Sequence, residues 1–180
     1  MKKTGFTLVE LLVALAIFSI ITASASGVFV SAIQSQKRVL AQQELLNQTS
    51  YLMEYVSRAV RMAKKDIDGN CTGTAKLNYN YKRDAQNNKI GIKFKNYQGV
   101  CQEFYLEGWQ LKENKGGVIL PLTGGNLTVS VFQVTGSGWS QDDFSVLQPL
   151  TTFFLEIQGK DSSEIQTQTS VSQRNLDIKQ

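Results

Sequence analysis

Histidine is absent from the 180 residues, which removes the commonest general base and the commonest imidazole metal ligand. Cysteine occurs twice, at Cys71 and Cys101, without the C-x-x-C spacing of a zinc or redox site. Proline occurs twice as well, at Pro121 and Pro149, so none interrupts a helix in the first two thirds of the chain. A charge excess of either sign is missing from residues 67–180, where eleven basic side chains face eleven acidic ones. So neutral a segment does not read as a nucleic-acid surface. With no nucleophile–base arrangement in view, the chain is not expected to be an enzyme.

What is present is concentrated at the start. Lys2, Lys3, Thr4 and Gly5 lead into Phe6-Thr7-Leu8-Val9-Glu10 and then an apolar run to Ile33, diluted only by serines, a threonine and Gly27. About 20 apolar residues suffice to cross a bilayer as a helix, so the chain is expected to begin in a membrane. Glu10 is the anomaly, because an acid within the hydrocarbon costs roughly 2.5–3.5 kcal/mol even on the lenient insertion scale. It calls for a partner. A cut between Gly5 and Phe6 would supply one, since the new α-amine would stand about one helical turn from the Glu10 carboxylate, or face that of a neighbouring copy, with opposite charge at neutral pH.

Taken together, Gly5, Phe6 and Glu10 at this spacing resemble the N-terminus of the type IV pilin superfamily, which includes pilins, minor pilins and the pseudopilins of type II secretion and competence systems. The resemblance implies a leader at residues 1–5, removed by an inner-membrane prepilin peptidase and methyltransferase that cuts after Gly5 and N-methylates Phe6. It further implies an assembly role for Glu10, partnership with other pilins or pseudopilins through the helix, and an inner-membrane assembly platform. A second, fainter resemblance lies in Leu122-Thr123-Gly124-Gly125-Asn126-Leu127-Thr128-Val129 and in residues 169–175, which are similar to the later strands of large minor pseudopilins of the J type and related minor pilins. That favours a minor over a major subunit.

Other readings use the same residues. Ala23-Ser24-Ala25 follows the apolar core in the A-x-A manner of a secretory signal peptide, although the apolar residues continue through Val28, Phe29, Val30 and Ile33. A plain membrane anchor explains the topology but not the Gly-Phe junction. The chain would then be a tethered extracytoplasmic binding protein that never polymerises. A competence pseudopilin handling DNA is opposed by the neutral segment that follows. Basic residues flank the apolar run on both sides, Lys2 and Lys3 before it and Lys37 and Arg38 after it, so charge alone leaves the orientation open. The cysteines bear on it. Paired, Cys71 and Cys101 would close a loop of about 30 residues, worth roughly 3.5 kcal/mol on the chain-entropy account, and such bonds persist outside the cytoplasm; unpaired, they would be two buried thiols. The pair favours an extracytoplasmic head on a single-pass protein of the bacterial cytoplasmic membrane.

Beyond Ile33 the helix is expected to continue to about Asp66, with Gly69 and Asn70 ending it. Leu45, Thr49, Leu52, Val56, Ala59, Val60, Ala63 and Ile67 recur at steps of three and four, so one apolar stripe should face a core. From residue 76 the period becomes two. Strands are expected at 76–82, 89–94, 100–107, 109–112, 118–122, 127–134, 151–158 and 164–176, with Pro121 pushing the fifth toward an edge. The class is therefore α+β, a helix packed under an antiparallel β-rich head. Four divisions follow: a leader at 1–5, a transmembrane or filament-core helix at 6–33, its amphipathic continuation at 34–67 and the head at 68–180.

Three fragments hint at ligands. Asp66-Ile67-Asp68-Gly69-Asn70 contains the D-x-D-G of a calcium loop without its later glutamate, and reads first as a helix-ending turn. Asp142-Asp143 could assist a cation but reads first as a solvated loop. Gly136-Ser137-Gly138-Trp139-Ser140 lacks the lysine and context of a phosphate loop, and Trp109 and Trp139 read as core or rim aromatics. No cofactor is expected, with calcium the only weak possibility.

Overall fold

The computed structural model describes residues 5, 7–140, 148–159 and 163–174. One helix and eight strands make up the described chain. Helix α1, Leu8–Arg61, is uninterrupted for 54 residues, as the lack of proline and the abundance of Ala, Leu and Gln favour. It passes through Gly27 without a break. The chain divides into two compact units, one through Leu40 and one from Ala41 onward, and α1 contributes to each.

In the second unit α1 buries Leu45, Thr49, Leu52, Met53, Val56 and Val60. That is the expected stripe, with one exception at its end. The helix stops at Arg61, and Ile67 is 67% exposed. The cause is tertiary. Beyond Arg61 the backbone joins the head, Lys64 N–H donating to the Lys95 carbonyl at 2.8 Å and Asp66 N–H to that of Leu77 at 2.9 Å. The last helical carbonyls, which a helix cannot satisfy internally, are taken by side chains and backbone from elsewhere. Tyr79 Oη donates to Val60 O at 2.8 Å, Arg174 N–H to Arg61 O at 2.8 Å and Gln173 Nε2 to Ala63 O at 2.9 Å. Propensity at residues 62–66 yields to these bonds.

The strands form two antiparallel meanders rather than one sheet. The first has β1 (Tyr79–Arg83), β2 (Lys89–Lys95), β3 (Cys101–Glu107), β4 (Gln110–Lys115) and β5 (Val118–Pro121) in sequential order. Pro121 does lie on an edge strand. The second has β6 (Thr128–Ser137), β7 (Leu150–Gln158) and β8 (Glu164–Ser172). They are stitched together where Val129 N–H meets the Trp109 carbonyl at 2.9 Å and Asn78 N–H meets that of Trp139 at 3.0 Å. Strand β6 carries a bulge between Val129 and Val131, with Ser130 unopposed. The extra residue shifts the alternation, so Phe132 and Val134 face the core instead of Val131. Sheet and helix close on one apolar cluster in which Val56, Val60, Ile92, Phe94, Phe104 and Phe153 are fully buried.

Candidate functional site

The residues singled out by spacing lie at the start of α1. Gly5 is exposed, and a Cβ built there would meet nothing within 4 Å; the fold places no steric demand for glycine at this position. Phe6 and the lysines of the leader lie outside the described residues. Thr7 is the N-cap. Its carbonyl accepts the first intrahelical bond, from Leu11 N–H at 3.2 Å, and its Oγ1 accepts from Glu10 N–H at 3.3 Å. The same hydroxyl donates to Glu10 Oε2 at 3.4 Å. Thr7-Leu8-Val9-Glu10 is thus a capping-box sequence with its threonine–amide half formed. The signal was present in the T-x-x-E spacing, and Thr7 is the residue that reading for processing and assembly alone passes over. Glu10 stands in the first turn, where the helix dipole favours an anion by roughly 0.3–1 kcal/mol.

The run that follows is apolar on all sides. Its best window has a mean hydropathy of 2.3 and buries none of its residues, so α1 is long and apolar enough to cross a membrane. The hydroxyls within it are already served. Ser19, Thr22, Ser24 and Ser26 donate to the carbonyls of Leu15, Phe18, Ile20 and Thr22 at 2.8, 2.6, 2.9 and 2.8 Å, and these are all the hydroxyls between Leu11 and Val30. In a medium without water the hydroxyls from Ser19 to Ser26 would thus be satisfied by the helix itself. Glu10 differs: among the described residues its carboxylate has one hydrogen bond, the long one from Thr7.

Residues 1–26 match the family described as the prokaryotic N-terminal methylation motif. The matched stretch includes Gly5, Phe6 and Glu10, and it supports a type IV pilin-like protein, processed by a prepilin peptidase and capable of pilin-type assembly. With the apolar helix, it fits membrane anchoring. No curated protein and no solved structure matches the chain.

The cysteines are brought together. Cys71 and Cys101 form a disulfide with their Cα atoms 5.0 Å apart across 30 residues of sequence, fastening the connector after α1 to the start of β3. Asp66 shapes that connector. Fully buried, its Oδ2 accepts from Cys71 N–H and Thr72 N–H, both at 2.8 Å, and from Thr72 Oγ1 at 3.1 Å. Lys95 Nζ stands 4.0 Å from Oδ1. Burial pushes the carboxyl up, but the bonds from Thr72 and Cys71 and the lysine charge outweigh it and hold Asp66 below the usual carboxylate range. The D-x-D-G fragment accordingly spends its first acid on its own loop, and Gly69 sits there with φ 75° rather than ending the helix.

The remaining fragments separate. Among the described residues no group of three or more His, Cys, Asp or Glu is placed to hold a metal, and Asp142-Asp143 lies outside them. Trp139 is a packing residue, its ring 4.7 Å from that of Tyr81 and 5.8 Å from that of Tyr79, with Nε1 donating to Leu150 O at 3.1 Å. Trp109 is 65% exposed at the β3–β4 turn.

Proposed function

We propose that this protein is a filament subunit of the type IV pilin kind, a minor pilin or minor pseudopilin that works by assembly and not by catalysis. Cleavage after Gly5 and methylation of Phe6 would leave an amine one residue before the N-cap. Extraction by the assembly platform would then trade lipid for neighbouring helices, with Glu10 meeting a Phe6 amine and setting the axial register between subunits. The observation that carries this reading is Glu10 itself, a carboxylate at the head of an apolar run whose hydroxyls from Ser19 to Ser26 bond to their own backbone. Gly5, for which the fold has no steric use, supports a role in recognition by the peptidase.

Within that class, the resemblance of residues 122–129 and 169–175 to J-type pseudopilins and related minor pilins supports a minor over a major subunit, of a type IV pilus or of a type II secretion pseudopilus. The disulfide supports a head in an oxidising compartment, which would place it on the far side of the bacterial cytoplasmic membrane.

Mass spectrometry of the mature N-terminus tests the proposal directly. N-methylated Phe6 is expected; a chain beginning at Met1 would mean a plain anchor, and one beginning at Ser26 a cleaved secretory signal. Replacement of Glu10 by Leu should leave membrane insertion intact and abolish or scramble assembly, and normal incorporation of that variant into filaments would refute the assembly role.

A further inference from the structure

The second unit carries its charge unevenly. Met62 and Tyr97 form a wall shared by two surface depressions, of about 370 and 240 Å³. Arg58 and Lys115 line the first, beside Tyr55 and Ala59; Lys64 and Arg174 line the second. These four cations come from α1, the connector after it, the end of β4 and the segment after β8. Among the described residues no carboxylate lines either depression. Arg58 pairs with Glu54 in an exposed contact, worth little in water. Lys64, Lys115 and Arg174 make no ion pair among the described residues.

The C-terminal end of a helix favours cations, which accounts for Arg58 and Arg61. It does not account for Lys115 and Arg174, which the fold imports from distant sequence. Nor does solubility require a half-exposed tyrosine, Tyr97 at 53%, standing between two cationic pairs. Glu113, which accepts from Tyr55 Oη at 2.9 Å and from Gln102 Nε2, is 6% exposed and lines neither depression.

We propose that this surface docks an acidic segment of a partner protein, in which an apolar side chain sits against Met62 and Tyr97 and carboxylates on either side reach the two cationic pairs. The order is acid, apolar, acid. Charge complementarity fixes the sign of the partner, and the apolar wall between the cations favours a peptide over a phosphate backbone, which would offer that wall nothing apolar. Four cations also fall short of the extended basic track by which proteins follow nucleic acid. This inference goes beyond the filament reading and does not depend on processing at Gly5.

The test uses the full chain in detergent micelles and a fluorescent peptide with Asp-Glu flanking a central Phe on both sides, with a Lys-for-acid peptide as control. Fluorescence anisotropy at 50 and 300 mM NaCl should show binding of the acidic peptide alone, weakening at the higher salt. Combined Lys115→Glu and Arg174→Glu should weaken it at least about tenfold, and Tyr97→Ala severalfold. Lys89→Glu, a charge reversal on β2, should leave it unchanged. Lys64→Gln with Lys115→Gln removes charge without reversing it and should also weaken binding, with unchanged circular dichroism in each case. Absence of binding at 50 mM NaCl, retention by the reversed variants, or tighter binding of a single-stranded oligonucleotide or of anionic vesicles than of the peptide would each overturn the proposal.

Discussion

Glu10 is held by its own backbone N–H to the Thr7 hydroxyl at 3.3 Å, so one threonine serves both as the cap of α1 and as a donor to the carboxylate. Capping and assembly can therefore be told apart. Glu10→Gln keeps a residue that suits the third position of a capping box and removes only the charge. Membrane insertion and helicity should persist while the sheared filament fraction loses the subunit. Thr7→Ala should loosen the first turn by about 1 kcal/mol and leave incorporation measurable on the same blots.

The disulfide closes a loop between the connector and β3. Replacing both Cys71 and Cys101 by Ser should lower the stability of the head by roughly 3.5 kcal/mol on the chain-entropy account. Thermal melts with and without dithiothreitol should show the same drop in the natural chain and none in the double variant.

Asp66 gives the head an acid-sensitive joint. Its carboxyl is held below the ordinary value in the folded state, so its contribution is complete above the unfolded carboxylate range, near pH 4, and is lost as pH falls through the lower folded value. Asp66→Ala should destabilise by about 1–3 kcal/mol at pH 7, because buried N–H groups of Cys71 and Thr72 lose their acceptor. Urea midpoints at pH 7, 5 and 3 should show the gap between the natural chain and Asp66→Ala narrowing toward acid.

Gly136 lies under the indole of Trp139, where a Cβ would fall 2.2 Å from Nε1. Gly136→Ala should displace the ring from Tyr79 and Tyr81 and cost about 1–3 kcal/mol, as overpacking does. In a Trp109→Phe background, which leaves Trp139 as the only indole, its emission should shift to the red.

Much of the architecture was legible because period and burial coincide. The stripe Leu45, Thr49, Leu52, Val56 and Val60 lies where a 3.6-residue repeat puts it, and each expected strand overlaps an observed one. The errors fall where distant residues intervene. The helix was expected to reach Asp66, but Tyr79, Gln173 and Arg174 supply partners to its last carbonyls more than a dozen residues away in sequence, and no local pattern announces that. The two-sheet division escaped for the same reason, as did the phase change at Ser130, a single residue whose hydroxyl bonds Glu156 Oε1 across the ladder at 2.6 Å. At the N-terminus the case is reversed. Gly5 and Glu10 were conspicuous because nothing in the described fold asks for a glycine at the one or is paired in charge with the other, whereas Thr7, wholly local in its work, was overlooked.

The clasp on the end of α1 also has a mechanical meaning. Traction along the helix would be resisted where Val60, Arg61 and Ala63 are gripped by β1 and by the segment after β8, two parts of the head far apart in sequence. Their bonds would have to yield together rather than one after another, and the Cys71–Cys101 link lies just downstream as a covalent stop, so a tug on the anchor would be shared across the head before any strand could peel away.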